Sequence, residues 1–475
     1  MLIIKNYFLE SSCFVILLCE IEKTVTISLR EYNELKQIIK TQSSLIDELR
    51  TEIMLLKSGR KSTTSSTPSS QDYTRSKVYN SREKSNKPSG GQKGHKGSSL
   101  KMNDNPDEII NHSPKYCNKC GAAFDTSKAT LYTRRQEIVL PPIFPKYIEH
   151  RAYQCTCDQC GNTSTGEIPQ RLKANIQYGK NVQALITYLS VYQYIPANRL
   201  KMFLKDFANL PISEGSIFNI LSSMSSKAQP SYEQIRQRLA AAKYVGGDET
   251  GAHINKAKAW FWIFQNDFLT FIRASYSRGY QTIIDSFPSG FPQSVYVSDS
   301  LAAQLKVKTM AKQLCLAHLI RELTKFEEVF DSKWASQLKL LFKEAMNYKK
   351  QMQTNDYCVG NLKIKGFEEK LTKLLEVNIL RMHQKEKTFV NRLIKRRDAI
   401  FSFLYYKEVP PDNNASERGI RNIKVKMKIS NQFKSYEFAQ HFAVIRSVVD
   451  TTIKNGQDVF NALINLANQE LLAAE

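Results

Sequence analysis

KYVGGDETGAHI, residues 243–254, is the stretch on which the fold of this chain turns. Tyr244 and Val245 lead through two glycines to adjacent acids, Asp248 and Glu249, and then into small and apolar residues. This reads as a β-strand that carries Val245 inward and leaves Asp248 near its end. Successive strand side chains point to opposite faces, so only one of the two acids can join a shared site, and the central position favours Asp248. AKAWFWIFQN (257–266) and FLTFIRASY (268–276) follow as antiparallel partners. A helix over about 279–287 then leads to SVYVSDS (294–300), a second apolar strand that ends at Asp299. Carboxylates held side by side at strand ends can bind magnesium and leave positions for water and phosphate. Taken alone, either acid reads first as an ordinary surface carboxylate.

A third acid has a different setting, in PPDNNASERGIRNIKVKMK (410–428). The prolines and the Asn-Asn pair end one element, Asn414 or Ser416 can cap a helix, and Glu417 falls in its first turn. Arg421 and Lys424 share its face, four and seven residues on. Such a helix can present a carboxylate to metal and cations to DNA phosphates. The plain alternative is an i,i+4 salt bridge between Glu417 and Arg421.

These acids lie in a basic chain of 475 residues, with 68 Lys plus Arg against 45 Asp plus Glu and a net charge of +23. That balance predicts attraction to polyanions, and with 42% hydrophobic residues the chain can build two to four domain cores. No apolar run reaches the roughly 18–20 residues needed to span a bilayer, so no membrane is expected as partner. The opening MLIIKNYFLESSCFVILLCE is hydrophobic, but its core from Phe14 to Cys19 is short for a signal segment, and a buried or misassigned start fits better. Nine cysteines, mostly scattered, point to a reducing compartment, with the cytoplasm as default.

Upstream of the acids, residues 25–57 place Tyr32, Ile39, Ile46 and Ile53 at one heptad position and Leu35, Gln42, Leu49 and Leu56 at the other. This seam suits a parallel two-stranded coiled coil and hence a homodimer, or else one amphipathic helix packed on its own chain. Residues 58–105 lose periodicity and read as a flexible basic linker. In it, GGQKGHKG (90–97) allows Lys93, His95 and Lys96 to approach a phosphate backbone, although a merely solvated linker fits as well. Two C-x2-C pairs follow, Cys117 with Cys120 and Cys157 with Cys160, each ending in glycine and separated by 36 residues. Four thiolates make a closed structural zinc site, with EIVLPPIFPKYIEHRAYQC (137–155) as the hairpin of a zinc ribbon. Cys155 could replace Cys157 as ligand, and reduced buried cysteines are the bland reading. Residues 198–224 read as helix, break at Leu210 and Pro211, and a second helix capped by Ser213. That is a possible helix-turn-helix with Ser216 and Asn219 toward a major groove, or a plain packing hairpin.

The order of GGQKGHKG, paired Cys knuckles, GDET, VSD, CLAHLIRE (315–322) and DNNASERGIRNIKVKMKISNQFKS with its FAVIRSVVDTTIKNG tail resembles the transposases of the insertion sequence 66 family. The resemblance implies a ribonuclease H-like core whose DDE triad falls on Asp248, Asp299 and Glu417. It further implies two magnesium (or manganese) ions, cleavage at transposon ends and strand transfer into target DNA, with phosphate contacts from Arg418, Arg421, Lys424 and Lys428. Terminal inverted repeats, target DNA and accessory proteins of the same element would be partners, in a bacterial cytoplasm beside the nucleoid. The stretch after Asp299, with Cys315, His318 and Arg321 matching a family motif, would be an insertion between the second and third acids. The expected fold class is multidomain α+β: an uncertain leader (1–22), coiled coil (23–57), basic linker (58–105), zinc-binding module (106–165), helical DNA-binding region (166–240), core (241–314), mostly helical insertion (315–405) and the last part of the core (406–475). A non-catalytic dimeric zinc-containing DNA-binding regulator explains the coil, knuckles and charge equally well but leaves the three acids without a role.

Overall fold

The computed structural model describes residues 28–57, 94, 100–172 and 174–469. Helix α1 (Leu29–Lys57) covers the heptad segment. Its start is fixed reciprocally: the Ser28 hydroxyl oxygen accepts the Glu31 N–H at 3.2 Å, and the Glu31 carboxylate accepts the Ser28 N–H at 2.8 Å. Leu35, Ile39, Ile46 and Leu49 are about half exposed along it. This helix belongs to a different compact unit from the sheet described below.

Residues 100–172 carry little regular structure. Strands β1 (Gln154–Thr156) and β2 (Thr163–Thr165) pair antiparallel around the second cysteine knuckle, with Cys155 opposite Ser164. The hairpin expected over 137–155 does not form: no strand precedes Gln154 there. Pro141, Pro142 and Pro145 remove three ladder donors, and Ile138, Val139 and Leu140 stay exposed.

Helices α2 (Lys180–Thr187), α3 (Ala197–Ala208) and α4 (Glu214–Ala240) follow. Asn209, at φ 46°, ends α3 in the left-handed region, and the Ser213 hydroxyl oxygen accepts the Ser216 N–H at 3.0 Å to open α4. The helix, break and helix expected over 198–224 are therefore present. Ser216 is spent on this cap through its hydroxyl as well as its N–H, while Asn219 is exposed.

The sheet is mixed, in order β5-β4-β3-β6-β7, from strands β3 (Tyr244–Ile254), β4 (Ala257–Gln265), β5 (Thr270–Ser275), β6 (Phe291–Ser298) and β7 (Thr309–Leu314). Strands β3, β4 and β5 are antiparallel neighbours, whereas β6 and β7 run parallel to β3. Trp262, Phe264, Phe271, Phe287, Phe291 and Tyr296 are buried as one aromatic cluster on one face, with Phe287 at the end of α5 (Tyr280–Ser286). A short α6 (Ala302–Leu305) connects β6 to β7. Beyond β7 come α7 (Leu316–Phe330), α8 (Lys333–Gln351), α9 (Leu362–Leu375) and α10 (Gln384–Lys395), and no strand interrupts them. The chain then returns to the sheet with α11 (Asn414–Ser430), α12 (Tyr436–Lys454) and α13 (Val459–Asn468).

Against the sequence reading, Asp248 is not near the end of its strand, because antiparallel β4 keeps β3 hydrogen-bonded as far as Ile254. What ends at this point is the parallel pairing with β6, which stops at Gly246 opposite Val297.

Candidate active site

Continuing the register of Gly246 with Val297 by two residues sets Asp248 opposite Asp299, just beyond β6. Gly246 and Asp248 face α11. Gly419 lets that helix approach closely, since a Cβ there would sit 2.4 Å from Ile263 Cδ1, and Ile420 and Ile423 are buried beneath it. Past the helix, Phe433 exchanges backbone hydrogen bonds with β3, donating to His253 at 3.0 Å and accepting from Asn255 at 2.9 Å. The first turn of α11 thereby brings Glu417 to the Asp248 face. Its cap is Asn413, one residue before Asn414, while Ser416 lies inside the helix and donates to Asn413 Oδ1 at 2.7 Å.

Glu249 points to the opposite face, as strand alternation requires. There its carboxylate accepts from Arg278 at 2.7 Å and from Gln304 at 2.6 Å. Glu417 is neutralised as well, by Arg321 of α7 at 2.8 Å rather than by Arg421 of its own helix. Among the described residues, no Lys, Arg or His pairs with Asp248 or Asp299. Asp248 accepts the Glu249 N–H at 2.9 Å, and Asp299 accepts the Leu301 N–H at 2.9 Å. Burial, then the charges of Glu249, Asp299 and Glu417, push the Asp248 carboxyl up to about 8, against the pull of that Glu249 N–H. The hydroxyl of Tyr296 is fully buried with no hydrogen-bond partner among the described residues, near Asp248, Glu249 and Asp299, and burial holds it far above the usual phenol value.

The three acids do not crowd together. Among the described residues, the one group of three or more metal-ligating side chains with donor atoms within 4.8 Å of one another is Cys315, His318 and Glu417. His318 Nε2 lies 3.7 Å from Glu417 Oε1. Burial pushes the Cys315 thiol up to about 12, so it stays neutral, and Arg321 already balances Glu417.

The cysteine pairs form two knuckles of one geometry. Gly121 and Gly161, at φ 75° and 70°, donate to the carbonyls of Cys117 and Cys157, both at 2.8 Å. The Cys117 and Cys157 thiols are held below their usual value, first by the backbone N–H of Cys120 and of Cys160. The knuckle uses Cys157 and leaves Cys155 on β1, and the two pairs are not gathered into one four-sulfur cluster. Arg418, Arg421, Lys424 and Lys428 are exposed along α11. Lys93, His95 and Lys96 lie outside the described residues.

Sequence reasoning missed the ion pairs of Glu249 and Glu417. Arg321 stands 96 positions from Glu417, and no local spacing signals such a pair. Among the described residues, no helix is long and apolar enough to cross a membrane. Among curated proteins the comparison finds no match. A family model described as "Transposase IS66 family" matches residues 175–441, which include Asp248, Asp299, Glu417 and every strand of the five-stranded sheet. More than half of the chain lies within that match, and it carries the acids in their strand and helix settings: the chain belongs to the IS66 family of transposases.

Proposed function

We propose that this transposase-family chain is a catalytically active DDE enzyme that cuts DNA at transposon ends and joins the freed ends to target DNA. The observation that carries this reading is that Asp248 and Asp299 lie side by side with no cationic partner among the described residues, in a chain of net charge +23, while neighbouring Glu249 has one. Adjacent acids without a cation beside them favour binding of a hard metal ion, and oxygen donors suit magnesium or manganese. Asp248, Asp299 and Glu417 would hold two such ions. When bound, these supply activation of water and of the DNA 3′ hydroxyl, and they stabilise the charge on phosphorus.

The chain's own residues orient and hold. The mixed sheet with one acid on β3, a second just beyond the neighbouring β6 and a third on α11 is read as a ribonuclease H-like core, formed by 241–314 and 406–475 and interrupted by a helical insertion over 315–405. Arg321 sets the Glu417 carboxylate and limits its motion. Arg418, Arg421, Lys424 and Lys428 present a row of exposed charge to phosphates of the bound end. Lys93, His95 and Lys96 in the linker at 58–105 are assigned to initial capture of DNA, and the α3–α4 pair within 166–240 to contact with terminal repeats through Asn219.

Two ancillary assignments go with this. The knuckles favour thiolates, and Cys117, Cys120, Cys157 and Cys160 would bind one structural zinc if the two pairs closed on one another within 106–165. The half-exposed Leu35, Ile39, Ile46 and Leu49 suit a parallel pairing of two α1 helices, which would bring two transposon ends together. Sedimentation of the full chain as a monomer at micromolar concentration would remove that assignment.

Catalysis itself is tested by magnesium-dependent nicking of duplex DNA carrying the element's terminal repeats. The wild type should nick, and Asp248→Ala, Asp299→Ala and Glu417→Ala should not. Equal nicking by all four proteins removes the assignment of the three acids, and nicking by none of them points instead to a DNA-binding regulator. Nicking without joining in a strand-transfer assay points to a phosphodiesterase.

A further inference from the structure

The three acids come from elements far apart in the chain, yet the backbone beside each of them is tied to one buried junction. Asn413, 3% exposed, donates its backbone N–H to Cys315 Sγ at 3.1 Å and its side-chain Nδ2–H to the Gly247 carbonyl at 2.7 Å. Gly247 immediately precedes Asp248. The Asn413 carbonyl accepts the N–H of Glu417 at 3.2 Å. Cys315, 1% exposed, donates its own N–H to the Ser298 carbonyl at 2.8 Å, and Ser298 immediately precedes Asp299. Two residues therefore link the backbone at all three acids.

We propose that Asn413 and Cys315 are positioning residues, a clasp that sets the spacing of Asp248, Asp299 and Glu417 to receive the metal ions. The inference rests on the catalytic reading given above. Neither residue touches the reacting atoms. Cys315 Sγ serves as the acceptor that fixes the Asn413 N–H. The glycine at 246 is part of the same device. A Cβ there would stand 2.8 Å from Asn413 Oδ1 and 2.9 Å from Ser416 Oγ, so only glycine leaves room for the Asn413 side chain to lie against β3. The Asn413 carboxamide is satisfied on both sides, by the Gly247 carbonyl and by the Ser416 hydroxyl, and cannot rotate away without leaving buried groups unpaired. Metal centres tolerate displacement of their ligands poorly: loss of a supporting hydrogen bond costs about 10–100-fold, and a shift of ~1 Å about 100-fold in rate.

The test compares full-length wild type with Asn413→Ala, Gly246→Ala, Cys315→Ser and Cys315→Ala. Three quantities are read: kcat and KM for nicking of terminal-repeat DNA, Mn2+ affinity by electron paramagnetic resonance without DNA, and cooperative thermal unfolding. The clasp predicts that Asn413→Ala and Gly246→Ala weaken Mn2+ binding and lower kcat by about 10–100-fold each, with KM for DNA within about twofold. Cys315→Ser keeps an acceptor for the Asn413 N–H and should retain Mn2+ affinity and kcat much better than Cys315→Ala. Gly246→Ala perturbs the clasp from β3 and the Cys315 pair from the start of α7, so a folding failure in one variant leaves two independent readings. Mn2+ affinity and kcat unchanged per folded molecule in Asn413→Ala, or Cys315→Ser no better than Cys315→Ala, overturns the clasp. Failure of the catalytic reading looks different: wild type and Asp248→Ala would nick equally, whatever the clasp variants do.

Discussion

Replacing Asp248 by asparagine should stabilise the metal-free protein while abolishing its chemistry. The folded-state carboxyl is pushed from 3.8 up to about 8, so the folded protein holds this proton more tightly than the unfolded chain does. Ionising Asp248 therefore costs folding stability: the penalty is absent below about pH 4, grows as pH rises, and is complete near pH 8. At pH 7 the full shift would correspond to about 4 kcal/mol, at ~1.4 kcal/mol per unit. Partial exposure and relaxation of the neighbouring acids reduce this to about 2 kcal/mol. Asparagine keeps the shape and removes the charge. Melting of Asp248→Asn at pH 7.5 in EDTA should thus exceed that of the wild type by about 4–8 °C, with the difference shrinking toward zero near pH 4. Magnesium should raise the wild-type melting temperature and close the gap, because binding to the native state alone stabilises it by mass action. Differential scanning calorimetry across pH 4–8 checks each part. An asparagine variant no more stable than wild type at pH 7.5, or a difference that ignores pH, would refute the picture of Asp248 as a strained, unbalanced acid.

Other expectations follow from neighbouring contacts. Gly247→Ala would place a Cβ 1.8 Å from the fully buried Tyr296 hydroxyl, and overpacking of this kind should cost about 1–3 kcal/mol in chemical denaturation. Lys424→Ala with Lys428→Ala removes two exposed charges from α11 and should lower the slope of log affinity for DNA against log salt by about 2, while nicking at saturating DNA persists. Zinc measured by mass spectrometry should fall from about one ion per chain to none in Cys117→Ser or Cys157→Ser, and Cys155→Ser should retain it. A protein that holds no zinc before substitution would remove the structural-zinc assignment.

The parts of this fold that sequence carried were local. Strand alternation separated Asp248 from Glu249 because side-chain direction depends only on parity along β3, and the two acids do face opposite ways. The apolar runs of β4 and β5 and the breaks around Leu210 and Pro211 were legible for the same reason: turn chemistry and periodicity act over a few residues. Sequence places the cap of α11 at Asn414 or Ser416 instead of Asn413, since the Asn413 side chain bonds the Gly247 carbonyl and the Ser416 hydroxyl and caps no backbone N–H. The expected hairpin over 137–155 failed where apolar periodicity ignored three prolines. What the sequence could not carry were the long-range pairings. Arg321 with Glu417, Arg278 with Glu249, and Asn413 with both Gly247 and Cys315 join positions between 29 and 166 residues apart. Their selection depends on how α7 and α11 dock, and Glu417 had an equally good cation waiting at Arg421.

The central claim is that Asp248, Asp299 and Glu417 form one metal centre on the sheet. Anomalous diffraction from crystals soaked in manganese tests it without reference to any DNA substrate. The account predicts manganese density against the Asp248 and Asp299 carboxylates, with Glu417 completing the centre, and its loss in Asp248→Asn. Density confined to Cys315, His318 and Glu417, or a manganese site that persists unchanged in Asp248→Asn, would contradict it.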